Sequence, residues 1–232
     1  MKLGARRGDD DDHWITVSDL MSGLMVIFLF IAITYIRPLL NERDTVRSIA
    51  VTFQQNEVAL VDALRDEFQN DLDRWNAELD PETLVVRFKA PEVLFAPARA
   101  ELRPQFKAIL DDFFPRYLAV LDRFRDNIEE VRIEGHTSSD WGDLPYQEAY
   151  FRNMSLSQER TRTVLEYGLG LPGAVPYRDW TIGHITANGL SSSRLVRDAQ
   201  GRELSEGSRR VEFRVRTNAK QEIVRILETV AQ

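Results

Sequence analysis

Between Trp14 and Ile36 the chain reads WITVSDLMSGLMVIFLFIAITYI, an apolar run broken by a single charge, Asp19. A helix needs about 20 such residues to cross the hydrocarbon core of a bilayer, so this segment is expected to span a membrane. Trp14 and Tyr35 stand near its ends, where amphipathic rings favour the headgroup region, and Arg37 and Pro38 are expected to close it. A cleaved signal peptide fits less well. The run is long for a signal core, no small-residue cleavage site follows, and the leader carries Asp9, Asp10, Asp11 and Asp12. Charge alone does not orient the span, because Lys2, Arg6 and Arg7 on one side match Arg37, Arg43 and Arg47 on the other.

Asp19 is the main chemical feature of this part. An ionised carboxylate deep in hydrocarbon costs about 2.5–3.5 kcal/mol, and such a residue usually faces a protein interior or a water-filled path, where it handles ions or protons. Ser18, Ser22 and Gly23 beside it permit close helix packing and hydrogen bonding. The opposing reading makes Ser18 and Asp19 an N-cap, with the helix starting at Leu20 and Asp19 held in the interface. A single helix cannot build a channel, so ion handling at Asp19 requires partner helices.

Elsewhere the composition excludes more than it selects. Against 30 Lys and Arg stand 37 Asp and Glu, a net charge of −7, which argues against a nucleic-acid binder. With no Cys there are no disulfides, thiolate metal sites or Cys nucleophiles. His13, His136 and His184 fall in no metal-ligand spacing. Gly168, Gly170 and Gly173, next to Pro172 and Pro176, read as a turn rather than a phosphate loop. No metal, no cofactor and no enzymatic activity are therefore expected. His136 is read as a turn residue that anchors its loop by hydrogen bonds, in preference to a member of a hydrolytic set with Asp140.

The chain divides into a leader (1–13), the membrane helix (14–36), a helical linker (37–81) and a folded domain (82–232). In the linker, Val61, Leu64, Phe68, Leu72, Trp75 and Leu79 recur at spacings of three and four, one stripe of an amphipathic helix. Val46, Ile49 and Phe53 start a similar stripe upstream. The stripe must be covered by a partner helix or by the following domain, and a coiled-coil dimer is the preferred reading. Beyond Thr83, strand and helix patterns alternate. Strands are expected at Leu84–Phe88, around Val131–Gly135, at Trp180–Leu190 and at Val211–Val215. Helices are expected at Pro104–Phe124, Leu156–Leu169 and 221–230. The class is α+β, with helices on a mixed sheet.

Three segments carry a resemblance: Ile133-Glu134-Gly135-His136-Thr137, then Asn153, Leu156, Ser157 and Arg160 in the pattern N-x-x-L-S-x-x-R, then Ser208-Arg209-Arg210-Val211-Glu212-Phe213. In this order they resemble the OmpA-like peptidoglycan-binding domain, over about residues 83 to 217. The resemblance implies a βαβαββ fold in the periplasm, and so a cytoplasmic N-terminus in the bacterial inner membrane. It also implies a grip on the peptide stem of peptidoglycan through Thr137, Ser138, Asp140, Asn153, Leu156, Arg160 and Arg209. In that family an aspartate after Gly-His-Thr pairs with the stem's ammonium group and the arginine of the helix motif takes its carboxylate. Arg160 matches the arginine. Ser138 stands at the aspartate position and leaves Asp140, two residues on, as the available substitute. Ser208 replaces the usual asparagine. Arg suits the role because its planar fork offers two parallel donors to a carboxylate.

A single span with an early aspartate, a helical linker and an OmpA-like domain together resemble the B subunits of flagellar stators. The string Ser18-Asp19-Leu20-Met21-Ser22-Gly23-Leu24-Met25 followed by Val26-Ile27-Phe28-Leu29-Phe30 brings them closer to the B subunits of the Zorya anti-phage defence system. That resemblance implies Asp19 as the ion carrier, with Ser18 and Ser22 beside the ion path. It also implies a MotA-like A subunit, five copies around a homodimer of this chain, and a rotary motor held to the wall.

Overall fold

The computed structural model describes residues 8–89 and 91–219. The expected helix at 221–230 and the side chains of Val46, Ile49 and Phe53 lie outside the described residues. The chain forms two units, one of residues 1–51 with 223–232 and one of 52–222.

The described part of the first unit is helical. Helix α1 (Gly8–Phe68) contains Val17–Ile36, 20 residues with mean hydropathy 2.1 and none of it buried. Among the described residues it is the one helix long and apolar enough to cross a membrane. Its rise of 1.5 Å per residue gives about 30 Å, the thickness of a bilayer core. Two expectations change here. Asp19 does not cap the helix, because α1 has already begun at Gly8. Arg37 and Pro38 do follow the last residue of the apolar span, Ile36, but they do not end the helix, since α1 runs on to Phe68.

In the second unit, α1 is followed by the hairpin of β1 (Ala77–Asp80) and β2 (Val85–Phe88), then α2 (Pro91–Leu94), α3 (Pro104–Asp122) and β3 (Ile128–His136). Next come α4 (Tyr146–Gly170), α5 (Arg178–His184), β4 (Ile185–Gly189), α6 (Ser205–Ser208) and β5 (Arg210–Thr217). From β2 onward, with the short helices set aside, this is the expected βαβαββ order. The sheet order is β1-β2-β5-β3-β4, antiparallel except for the parallel pair β3–β4. That pair needs a crossover, and α4 with α5 supplies it.

Side-chain alternation gives the sheet two unlike faces. Val131, Ile133, Val211, Phe213 and Val215 belong to the hydrophobic core shared with α3. A bulge between Ile128 and Glu130 resets the phase of β3, which lets Ile128 join the core as well. At the centre of this core the Phe113 ring lies 5.1 Å from Phe68, 5.0 Å from Phe88, 4.9 Å from Tyr117 and 5.0 Å from Phe213. Burying each such ring contributes about 1.5–3 kcal/mol.

The linker stripe meets this core. Val61, Leu64, Phe68 and Trp75 are buried in it, with Leu72 and Leu79 packed against its edge. The stripe is therefore covered by the chain's own domain rather than by a coiled-coil partner. It is also not one helix, because α1 ends at Phe68 and Leu79 belongs to β1. The backbone turns at Asn76, whose φ of 50° lies in the left-handed region that a short polar side chain tolerates. Arg116 on α3 locks the junction. It donates to Glu67 at 2.6 Å and to Asp71 and Asp112 at 2.9 Å each, with its guanidinium 5.1 Å from the Phe68 ring. A second correction falls on Trp180–Leu190, expected as one strand. Its first half is α5, where Trp180 and His184 stack at 5.0 Å one helical turn apart, and only Ile185–Gly189 is strand.

Candidate functional site

Helix α4 comes very close to the C-terminal ends of β3 and β4, and two glycines make that possible. A Cβ at Gly189 would stand 2.3 Å from the Gln158 amide nitrogen, and one at Gly135 would stand 2.8 Å from the Ser157 carbonyl oxygen. The approach is fixed by hydrogen bonds. The Gly189 amide donates to Gln158 Oε1 at 2.8 Å, and the Ser191 amide donates to Ser157 Oγ at 3.0 Å. With α4 seated in this way, Asn153, Leu156 and Arg160, at spacings of three and four, face the loop that leaves β3.

Between that loop, α4 and the segment around Phe95 lies a cavity of about 280 Å³. Its walls include Thr137, Ser138, Asp140, Asn153, Leu156, Arg160 and Arg209, the residues that the resemblance had singled out, brought together here at one end of the sheet. The far wall, formed by Phe95, Pro97 and Ala98, and the rim residue Trp141 were not anticipated.

The roles divide by geometry. Asn153 is buried and holds the loop, its Nδ2 donating to the carbonyl oxygens of Ser138 at 3.0 Å and Asp140 at 3.3 Å. Ser139 is tied to Glu203 through its amide at 3.0 Å and through its hydroxyl. Thr137, 3% exposed, keeps a buried hydroxyl with no hydrogen-bond partner at the cavity wall. Arg160 is 8% exposed, yet among the described residues no carboxylate pairs with it. Its Nε donates to the Arg99 carbonyl oxygen at 2.9 Å and its Nη2 to that of Ala96 at 3.3 Å, while the guanidinium lies 4.8 Å from the Phe95 ring. Burial, with repulsion from Arg209, pushes Arg160 down to about 10. Among the described residues the Arg209 side chain donates only to the Ser205 carbonyl oxygen, at 3.3 Å. Two cations thus line one cavity, and among the described residues neither is paired with a carboxylate, an arrangement that favours an incoming anion. Asp140, exposed at the same cavity, offers one carboxylate to a cation.

His136 differs from its expected role. It is the last residue of β3 and buried, and its ring nitrogens make no hydrogen bond. Its Nε2 lies 3.7 Å from Glu212 and 3.8 Å from Glu134. These residues could be imagined as a metal site, since their ligand atoms lie within 4.8 Å of one another. Arginines already occupy the carboxylates: Glu212 accepts from Arg87 and Arg210 at 2.7 Å each and from Arg214 at 2.8 Å, and Glu134 accepts from Arg214 at 3.1 Å. A metal cation would have to displace them, so the group is better described as a buried ion-pair lattice. Burial opposes charge on Glu212, but the contacts from His136, Arg210 and Arg87 outweigh it and hold its carboxyl well below the usual range. Burial likewise lowers His136. The lattice fixes the β3–β5 ends from which Thr137 and Arg209 reach the cavity.

On the membrane helix, Asp19 and Ser22 share one face at a spacing of three, and both are exposed. The Ser22 hydroxyl donates to the Ser18 carbonyl oxygen at 2.8 Å. Asp19 is two residues inside Val17–Ile36.

No family model matches the sequence. Among solved structures the chain is similar to a putative MotB like protein from Desulfovibrio vulgaris, at 23% identity and TM-score 0.49, covering 75% of this chain and 99% of that one. It is also similar to the cell wall anchor of the T6SS from Pseudomonas aeruginosa, at 23% identity and TM-score 0.46, covering 66% of this chain and 96% of that one. A curated relative is much nearer in sequence: the Zorya protein ZorB of Escherichia coli is 46% identical over 224 residues, which are 96% of this chain and 95% of that protein. With an identity this high over nearly its whole length, the chain belongs to the Zorya protein ZorB family.

Proposed function

We propose that this chain is the wall-anchored B subunit of an ion-driven, and specifically proton-driven, rotary motor of the Zorya anti-phage defence system. It crosses the bacterial inner membrane once, with its N-terminus in the cytoplasm and its folded unit in the periplasm. The observation that carries the anchoring half is the pair Arg160 and Arg209, two cations that among the described residues pair with no carboxylate, at a cavity also lined by Asp140. A peptidoglycan stem end presents carboxylate and ammonium groups side by side, and this cavity offers the complement of both.

The motor half rests on Asp19, carried inside a continuous helix and within its apolar stretch. A MotA-like A subunit, five copies around a dimer of this chain, supplies the helices that complete the ion path, with Ser18 and Ser22 beside Asp19. The chain itself performs no enzymatic chemistry in this reading.

The test is Asp19→Asn, expressed with its A subunit at wild-type levels and challenged with phage. The proposal requires loss of protection with membrane insertion intact. Undiminished protection contradicts the motor.

A second reading, a passive wall tether, is favoured by the position of Asp19. Two residues inside Val17 is about 3 Å along the helix axis, close to the headgroups when the span is centred. The tether predicts indifference at Asp19 and full sensitivity at Arg160.

A further inference from the structure

The cavity has a feature that an end-on grip of a peptide does not use. Trp141 lines it together with Arg160, Arg209 and Asp140, and its side chain is half-buried. Trp75 and Trp180, in the same folded unit, spend their rings on packing, against Phe68 and Phe113 and against His184 respectively. Among the described residues Trp141 has neither a ring partner nor a side-chain hydrogen bond. Its placement is nonetheless fixed. Asn153 holds the preceding carbonyl at Asp140, the Leu144 amide closes a turn onto the Trp141 carbonyl oxygen at 3.3 Å, and Gly142 takes the φ of 55° that the turn needs. Tyr146, 69% exposed, lies seven residues before Asn153 and so on the same side of α4.

We infer that Trp141 is a stacking platform for an amino-sugar ring of the glycan strand, so that the cavity reads the sugar to which a stem peptide is attached as well as the stem's charged end. The inference rests on the peptidoglycan reading given above. A pyranose presents a face of weakly positive C–H groups, which packs on the negative face of an indole, and the unpaired indole N–H remains available to a ring substituent. A nucleotide would also stack on tryptophan and meet arginines, but Asp140 at the same wall opposes its phosphates and suits an ammonium-bearing ligand.

The test compares two soluble probes by calorimetry on the full chain in detergent micelles: a sugar-free stem peptide, and the same peptide carrying its N-acetylglucosaminyl-N-acetylmuramyl disaccharide. The wild type is expected to bind the glycosylated probe about five-fold more tightly. Trp141→Ala is expected to erase that preference, weakening the glycosylated probe about five-fold more than the bare peptide, and Trp141→Phe to retain part of it. Equal affinity of the wild type for both probes, or a preference that survives Trp141→Ala, overturns the sugar platform and leaves the stem grip standing. Equal weakening toward both probes, in a variant whose melting is unchanged, also overturns it. Binding of neither probe by the wild type removes the peptidoglycan reading itself, and tighter binding of ADP than of either probe replaces it with a nucleotide site.

Discussion

Asn153 Nδ2 donates to the carbonyl oxygens of Ser138 and Asp140 at 3.0 and 3.3 Å, so one buried amide on α4 sets the position of the loop that carries the cavity's carboxylate. Under the proposed function the side chain acts on the ligand through the loop it holds. Asn153→Asp keeps the shape and removes the donor, leaving two carbonyl oxygens facing a carboxylate. It is expected to lower stability by about 1–3 kcal/mol, read by urea unfolding, and to weaken wall binding. Full binding in the variant would mean that the loop finds its place without Asn153.

The seat of α4 on the sheet is tested at a glycine. Gly189→Ala forces a Cβ to within 2.3 Å of the Gln158 backbone nitrogen, where only backbone movement gives relief. A loss of about 1–3 kcal/mol or more is expected in urea unfolding. Gly170→Ala, with nothing within 4 Å of its added Cβ, serves as the neutral control.

Arg116 joins the end of α1 to α3 through Glu67, Asp71, Asp112 and the Phe68 ring. Arg116→Met keeps most of the stem and removes the charge, and is expected to cost about 1–2 kcal/mol. The half-exposed surroundings make part of this loss salt-dependent, so the gap between variant and wild type should narrow at high ionic strength.

The ion-pair lattice sets the pH dependence. His136 faces Glu134, Glu212 and Arg210, and burial lowers it in the folded state from an ordinary value of 6.5. Below pH 6.5 the unfolded chain takes this proton first, so stability begins to fall there. Glu212 is held below its ordinary 4.5, so its contribution is complete above that pH and is lost as pH drops toward the folded value. Urea midpoints against pH should therefore fall in two stages. His136→Gln should flatten the one between 6.5 and 4.5 and Glu212→Gln the one below 4.5.

How much of this could be read from residue order follows a physical divide. The cavity residues on α4 and after β3 were legible through the resemblance to the OmpA-like domain, carried by the N-x-x-L-S-x-x-R pattern and by Gly-His-Thr, whose Gly135 and His136 prove to end β3 rather than form a turn. The wall at Phe95–Ala98 left none, since Arg160 is held there by the backbone carbonyls of Ala96 and Arg99, groups that every sequence possesses. Trp141 carried no spacing signal, being placed by a turn. The linker stripe was recognised as apolar but assigned to the wrong cover, because periodicity reports which face is buried and not what buries it. Leu79 happened to fall at a helical interval while lying on a strand, and the break at Asn76 depends on a local backbone angle that spacing does not encode. The half-helix at Trp180–His184 was masked by apolar residues that suit either state.

The most direct test of the gripping cavity is sedimentation of the full chain with purified sacculi, wild type against Arg160→Met. The substitution keeps most of the buried stem and removes the charge together with the hydrogen bonds to the Arg99 and Ala96 carbonyl oxygens, so melting is measured alongside binding. The account predicts that wild type pellets with the sacculi and that the variant, with unchanged melting, stays in the supernatant at concentrations about ten-fold higher, the equivalent of about 1.4 kcal/mol of lost binding. Equal retention of the two proteins would contradict it.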